Sequence, residues 1–151
     1  MRANKRSVKD NQAIVIVDDD RDYSCLLEAA FQELQVPNPI AILDDGWAAV
    51  NFLKQADASQ PIEIPALVLL DVRMPGLGGF EVLRWLRRQQ QFQGVPVVVF
   101  TGAQQDHEGA RAIASGAAAF YVKPFSYREL VRQAAGLRDA YLSAGELKHA
   151  A

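Results

Sequence analysis

Five short apolar runs, spaced along almost the whole chain, constrain the fold of this sequence more than any other feature. They are Ala13–Val17, Pro39–Leu43, Ala66–Leu70, Pro96–Phe100 and Ala118–Val122. The first, third and fourth are almost entirely aliphatic, a pattern typical of strands covered on both faces, as in a parallel sheet. The second and fifth runs are less distinctive, and we interpret them as strands as well.

The segments between these runs have apolar residues at three- and four-residue steps, which predicts an α-helix after each strand. Asp20 and Ser126 are candidate N-caps, and Asp45 lies in a turn at another helix start. Alternation of strand and helix predicts an α/β fold with a parallel sheet covered on both faces. The predicted helices cover Tyr23 to Leu34, Asp45–Ala56, Gly79–Gln90, Gln104–Ser115 and Tyr127 to Tyr141.

Length and composition limit the classes of protein to consider. The 151 residues suffice for one domain, which we place at residues 12–142, between flexible tails at 1–11 and 143–151. A net charge of −2 argues against general nucleic-acid binding. No apolar run approaches the roughly 20 residues that span a bilayer, and no signal peptide is evident, so we expect a cytoplasmic protein without a membrane partner. Cys25, the only cysteine, excludes an intramolecular disulfide, and its helix pattern predicts a buried side chain.

Chemically active side chains follow four of the five predicted strands. Asp18, Asp19 and Asp20 follow the first strand, Asp71 the third, Thr101 the fourth and Lys123 the fifth. Because ligands of open parallel sheets bind at the carboxyl ends of the strands, we expect these side chains to converge.

Such a cluster suits phosphoryl chemistry. Carboxylates close together raise each other's pKa unless a cation neutralises them, and Mg²⁺ favours oxygen ligands and accepts phosphate oxygens. Asp71 could form an aspartyl-phosphate, with Lys123 balancing its charge and Thr101 donating a hydrogen bond. Each residue alone also has a purely structural interpretation, and for Asp20 the N-cap role fits better. The combination at successive strand ends is what favours a site.

With these residues the chain resembles the response-regulator receiver family of two-component signalling, over about Ala13 to Leu142. The resemblance implies a flavodoxin-like, doubly wound sheet of five parallel strands in the order 2-1-3-4-5. It rests on Val17-Asp18-Asp19, Leu70-Asp71-Val72-Arg73-Met74-Pro75 with Gly79, Phe100-Thr101 and Tyr121-Val122-Lys123-Pro124-Phe125.

The resemblance implies a role for each residue of the cluster. Asp71 is expected to be the phosphoacceptor. Asp18, Asp19, Asp71 and the backbone carbonyl of Arg73 are expected to hold Mg²⁺, and Lys123 to pair with the phosphate. We further hypothesise that the Arg73 side chain shields the phosphoryl group from water.

The resemblance also implies a conformational switch. Thr101 is expected to move toward the phosphoryl group, and Phe120, at the aromatic switch position, to rotate inward. The Lys123–Pro124 bond is expected to be cis, as in similar proteins. Gly78 departs from the common pattern, since an aspartate usually precedes the glycine after Met-Pro, and this puts the local turn geometry in doubt.

These inferences predict a stand-alone receiver that regulates and is not an enzyme, apart from catalysing its own phosphorylation and dephosphorylation. A sensor histidine kinase or phosphotransfer protein would supply the phosphoryl group in a phosphorelay, and a downstream protein would read the result. The expected docking or homodimer surface is the fourth helix, fifth strand and fifth helix. It lies near His107, Ala110, Ile113, Phe120 and Tyr127.

Three other functions remain open at this point. A haloacid-dehalogenase-type phosphatase would use Asp18 and Asp20, but it also needs an acidic pair after its lysine, where only Glu129, Asp139 and Glu146 remain, widely separated. A non-phosphorylated scaffold would lack part of the acidic set, which this chain retains. A flavin carrier would need a hydroxyl- and glycine-rich loop after the first strand, and none is evident.

Overall fold

The computed structural model describes residues 7–102 and 106–142, and its centre is a parallel sheet. The strands are β1 (Ile14–Val17), β2 (Ile40–Leu43), β3 (Leu67–Asp71), β4 (Val97–Thr101) and β5 (Ala119–Val122), in the order β2-β1-β3-β4-β5. The helices that follow them are α1 (Arg21–Glu33), α2 (Gly46–Lys54), α3 (Gly79–Arg88), α4 (Asp106–Ala114) and α5 (Tyr127–Leu137). The predicted fold and strand order are confirmed.

The strand side chains alternate between two apolar clusters, as the two-residue period of a strand requires. In β1, Val15 and Val17 pack with the buried residues of α2, α3 and α4, whereas Ile14 and Ile16 pack with those of α1 and α5. All residues of β1, β3 and β4 are buried. This two-sided burial explains their continuous aliphatic sequences and fixes which helices cover each face.

Side-chain caps begin three of the helices and set where each strand-to-helix turn ends. Asp20 accepts a hydrogen bond from the Tyr23 backbone N–H at 3.2 Å, and Asp45 accepts one from Ala48 at 2.7 Å. The Ser126 hydroxyl accepts one from Glu129 at 3.2 Å. The N-cap predictions for Asp20 and Ser126 are confirmed, so the third acid after β1 serves the helix.

The chain before β1 is more structured than the sequence analysis suggested. Val8–Asn11 form a short helix capped by Ser7, within the segment that we assigned to a flexible tail. The Asn38 side-chain amide donates hydrogen bonds to the carbonyls of Lys9 and Gln12, at 2.7 and 2.8 Å, and so ties this helix to the α1–β2 loop. The domain limits at 12 and 142 stay a prediction, and the C-terminal tail lies outside the described residues.

Two further features differ from expectation, and a third was not predicted. Cys25 is exposed on α1, because its side chain lies off the stripe formed by the buried Leu27, Ala30 and Phe31. The last helix continues as a π-helical turn, Arg138–Leu142. The loop after α2 contains a 3₁₀ turn, Pro61–Glu63.

Arg87, at the end of α3, joins two turns far from the predicted site. Its guanidinium donates to the carbonyls of Phe92, Gln93 and Val95, at 3.1, 3.0 and 2.7 Å, and to that of Gly116 at 3.0 Å. Burial lowers the pKa of Arg87. One side chain thus bonds four backbone carbonyls of the α3–β4 and α4–β5 connections and ties the two together.

Candidate functional site

Strand pairing brings the predicted site residues to one edge of the sheet. Val17 is in register with Leu70, and Thr101 is in register with Val122. Asp18 and Lys123 therefore directly follow paired positions. Their backbone N–H groups donate to carbonyls of the neighbouring strands, Asp18 to Leu43 and Lys123 to Thr101. The ends of four parallel strands thus hold these side chains by main-chain hydrogen bonds.

Three carboxylates gather at this edge. Asp18, Asp19 and Asp71 each present an oxygen, and these oxygens lie within 4.8 Å of one another. Asp18 and Asp71 are buried, with 2% and 6% of their surface exposed, whereas Asp19 faces solvent. An all-oxygen donor set of this kind, open on one side, fits a hard divalent cation that keeps some of its water.

Lys123 lies inside the acidic cluster. Its ammonium nitrogen is 2.7 Å from Asp18 Oδ2 and 3.7 Å from Asp71 Oδ1. It also lies 4.5 Å from the centre of the Tyr23 ring. The ammonium is therefore adjacent to the proposed nucleophile, held by one carboxylate and one aromatic face. Sequence reasoning predicted Lys123 but missed Tyr23, the first apolar residue of the predicted α1 stripe.

The electrostatics of the cluster follow from burial and like charge. The pKa of Asp71 is raised to about 7, first by burial and then by the charge of Asp18, while Lys123 and the backbone N–H of Arg73 oppose the change. Burial also raises the pKa of Asp18. A cation bound among these groups would favour their ionised forms, because it replaces repulsion with attraction.

The close approach of α3 to β3 fixes the position of Asp71. A Cβ added at Gly79 would lie 2.1 Å from the Asp71 carbonyl oxygen, so only glycine lets the helix begin this near the strand. The Gly79 N–H donates to the Val72 carbonyl at 3.1 Å. By contrast, a Cβ at Gly78 would meet no atom closer than 3.7 Å, and the departure from the family pattern there leaves the turn intact.

Thr101 is fully buried at the end of β4, and its hydroxyl donates to Glu108 Oε2 of α4 at 3.2 Å. The other oxygen of Glu108 accepts from Arg73 Nη2 at 2.9 Å. Sequence reasoning missed Glu108, although it lies four residues before the buried Ala112 and so falls on the inner face of α4. The guanidinium of Arg73 pairs with this carboxylate, and its shielding of a phosphoryl group stays a hypothesis.

Phe120 lies half-buried at the outer strand, against α4. A Cβ added at Gly109 would be 3.0 Å from Phe120 Cδ1, so the ring packs directly on that glycine. Nearby on α4, Ile113 is 52% exposed and Ala110 faces solvent. Tyr127 is directed elsewhere, since its hydroxyl donates to Glu33 of α1 at 2.8 Å.

Two further expectations can be compared with the structure. The described residues contain no cis peptide bond, so the cis Lys123–Pro124 bond expected from similar proteins is not found, and the trans isomer is the lower-energy form of most X-Pro bonds. Of the acids that a dehalogenase-type phosphatase would need, the two that the structure describes do not belong to the acidic cluster. Glu129 faces solvent on α5, Asp139 pairs with Arg138 at 2.9 Å, and Glu146 lies outside the described residues.

A doubly wound sheet of this order, with three carboxylates and a lysine at its carboxyl edge, defines a receiver-like α/β protein. The sequence profile described as "Response regulator receiver domain" matches residues 14–135 of this chain. The chain therefore belongs to the response regulator receiver domain family of two-component signalling. Receiver domains are regulatory modules, and the acidic cluster fits their use of a divalent metal.

Individual relatives agree with this assignment. The chain is 31% identical to a probable methanogenesis regulatory protein, FilR2 of Methanothrix harundinacea, with 85% of this chain and 83% of FilR2 covered. It is 25% identical to response regulator Rcp1 of Synechocystis, covering 87% and 89%. The chain also matches several transcriptional regulatory proteins, and it spans only about half of their length, for example 52% of one and 48% of another.

Two solved structures resemble the fold closely. The Mn²⁺-bound form of Rcp1 aligns with a TM-score of 0.76 at 25% identity, covering 88% of this chain and 96% of that chain. The phosphorylated cyanobacterial phytochrome response regulator RcpA aligns with a TM-score of 0.77, also at 25% identity, covering 87% and 94%. None of the described helices combines the length and apolar character that crossing a membrane requires.

Proposed function

We propose that this chain is a stand-alone receiver that accepts a phosphoryl group on Asp71 and signals by a conformational change. The observation that carries the proposal is the convergence of Asp18, Asp19, Asp71 and Lys123 within a few ångströms. Coverage of most of FilR2 and Rcp1 supports the stand-alone assignment. The donor would be a sensor histidine kinase or a phosphotransfer protein, and the protein would act in the cytoplasm.

In the transfer step a carboxylate oxygen of Asp71 attacks phosphorus. The phosphorus–nitrogen bond of the donor phosphohistidine breaks, and the histidine nitrogen leaves with the bonding electron pair. Asp18, Asp19, Asp71 and the backbone carbonyl of Arg73 would hold Mg²⁺, which when bound supplies positive charge for the phosphoryl oxygens. The Lys123 ammonium would exchange its contact with Asp18 for one with a phosphoryl oxygen.

The phosphorylated state would be read through Thr101 and Phe120. A phosphoryl group on Asp71 offers acceptors that attract the Thr101 hydroxyl, and movement at the end of β4 would leave space for the Phe120 ring to turn inward. The surface of α4, β5 and α5 would then change shape. Its exposed Ile113 and Ala110 suit a downstream protein partner or a second copy of this chain.

The test is incubation with acetyl phosphate or phosphoramidate and Mg²⁺, followed by intact-mass measurement. Wild-type protein should gain the mass of one phosphoryl group, and the gain should disappear with EDTA or in Asp71→Asn. Asp22→Asn, which removes an exposed acid from the first turn of α1, is the matched control and should be labelled normally. Labelling that survives in Asp71→Asn would refute the assignment.

The same reaction distinguishes the phosphatase alternative. A dehalogenase-type enzyme would attack through Asp18 and release inorganic phosphate continuously from a phosphate monoester. A receiver carries at most one phosphoryl group at a time, on Asp71, and releases phosphate only as slowly as the aspartyl-phosphate hydrolyses. Continuous phosphate release that is abolished in Asp18→Asn, but not in Asp71→Asn, would favour the phosphatase.

A further inference from the structure

Glu108 is a buried carboxylate outside the acidic pocket that links three segments of the chain. It is 7% exposed. Its Oε1 accepts hydrogen bonds from Arg73, at 2.9 Å from Nη2 and 3.3 Å from Nε, and its Oε2 accepts one from the Thr101 hydroxyl at 3.2 Å. A buried carboxylate requires such partners, and here they come from the β3–α3 loop and the end of β4.

Both partners of Glu108 belong to the site. Arg73 lies two residues after Asp71, and Thr101 ends the strand next to it. The residue that follows Glu108 is Gly109, against which the Phe120 ring packs. One turn of α4 therefore contacts both the hydroxyl and the aromatic ring that the switch would use.

We propose that Glu108 is a positioning residue that holds Thr101 and Arg73 in the unphosphorylated arrangement. A hydroxyl has one hydrogen to donate. Donation from Thr101 to Glu108 and donation to a phosphoryl oxygen on Asp71 are therefore alternatives, and the carboxylate competes with the phosphoryl group. This inference rests on the proposed phosphorylation of Asp71, and it identifies Glu108 as the group that opposes the switch of Thr101.

The competition carries the signal to α4. When Thr101 turns to the phosphoryl group, Oε2 of Glu108 loses its donor while still shielded from water. An unsatisfied buried carboxylate oxygen is costly, so the first turn of α4 moves until water or another donor reaches it. That turn also carries Gly109, and the packing of Phe120 changes with it. The exposed surface around Ile113 is thereby coupled to Asp71 through a defined pair of hydrogen bonds.

Beryllofluoride, which mimics a phosphoryl group on aspartate, provides the test when titrated with Mg²⁺ by calorimetry. Glu108→Ala removes the carboxylate that competes for the Thr101 hydroxyl and should bind about five- to tenfold tighter than wild type, because a larger fraction of the protein is competent to bind. Glu108→Gln keeps an oxygen acceptor for Thr101, so its gain should be smaller. Glu81→Ala removes an exposed carboxylate from α3 and should bind like wild type.

A double-mutant cycle separates positioning from general loosening of the helix. In a Thr101→Val background no hydroxyl is released, so adding Glu108→Ala should give no further gain. A gain that persists there, or weaker binding by Glu108→Ala in the wild-type background, would overturn the proposal. If Glu108→Ala does not fold, Glu108→Gln carries the test with the same sign.

The outcomes also separate this inference from the proposed function. If wild-type protein is labelled on Asp71 but the Glu108 variants bind beryllofluoride no more tightly than wild type, the receiver function stands and the proposed role of Glu108 is refuted. Wild-type protein that neither becomes labelled nor binds beryllofluoride overturns both.

Discussion

Replacing Asp71 with asparagine should stabilise the fold at neutral and alkaline pH when divalent metal is removed. The carboxyl has a pKa of about 7 in the folded protein, against 3.8 as the ordinary value. The folded state therefore keeps a proton that the unfolded chain has already lost between these values. Because the unfolded state then binds fewer protons, the stability of the wild-type protein falls as pH rises through this window.

The size of the effect follows from the pKa difference. About three pH units, at roughly 1.4 kcal/mol each, give an upper value of about 4 kcal/mol. Water and side chains relax around a carboxylate once it ionises, so we expect about 2 kcal/mol. The Asp71→Asn variant should gain this advantage between about pH 4 and pH 7 and hold it above. For a chain of this size, that corresponds to a melting temperature about 4–8 °C higher.

Urea denaturation in EDTA at several pH values measures the advantage directly. Asp57→Asn is the control, because hydrogen bonds from Ser59 lower the pKa of that exposed carboxyl and the variant should gain nothing at high pH. Mg²⁺ at one hundred times its dissociation constant should stabilise the wild-type protein by about 2.7 kcal/mol relative to the metal-free state, and Asp71→Asn should gain less. An advantage for Asp71→Asn that is equal at pH 4 and pH 8 would show that the buried charge is not its cause.

Three more substitutions test other parts of the structure. Arg87→Met should lower the free energy of unfolding by about 3 kcal/mol in urea titrations, because four carbonyls lose a charged donor. Gly79→Ala should cost about 1–3 kcal/mol and weaken Mg²⁺ binding in calorimetry, since its Cβ would displace Asp71. Tyr23→Leu should slow labelling by acetyl phosphate several-fold, because Lys123 loses the ring beneath it. Tyr23→Phe, which keeps the ring, should label at the wild-type rate.

The sequence predicted the fold well because both faces of the sheet are buried. The aliphatic runs of β1, β3 and β4 have no other stable place in a chain of this size, and their parallel pairing brings Asp18, Asp71 and Lys123 to one edge. The burial of Cys25 was predicted wrongly, because one cysteine within a helical pattern does not reveal on which side of the apolar stripe it lies. The helix at Val8–Asn11 was missed because it has only four residues and none of them is buried, and the Asn38 side chain that ties it to the domain is distant in sequence.

The candidate site was predicted less completely than the fold. Side chains that follow a strand end can be identified from the strand alone, whereas Glu108 acts from a helix whose rotation must also be known. The buried Ala112, one turn later, indicates the rotation of α4. A single glutamate in the polar first turn of a helix, however, does not indicate which residue it would bind. The direction of the Arg73 side chain could not be predicted for the same reason, since it is set by Glu108.

Cys25, the only thiol of the chain, is exposed on α1, and α1 and α4 cover opposite faces of the sheet. A maleimide dye or spin label would therefore attach at one defined point without engineering and without touching α4, the helix that we propose to move. Any change in its signal on phosphorylation would have to be transmitted through the strands themselves. The native chain thus offers a built-in probe of whether the far face stays rigid while α4 responds.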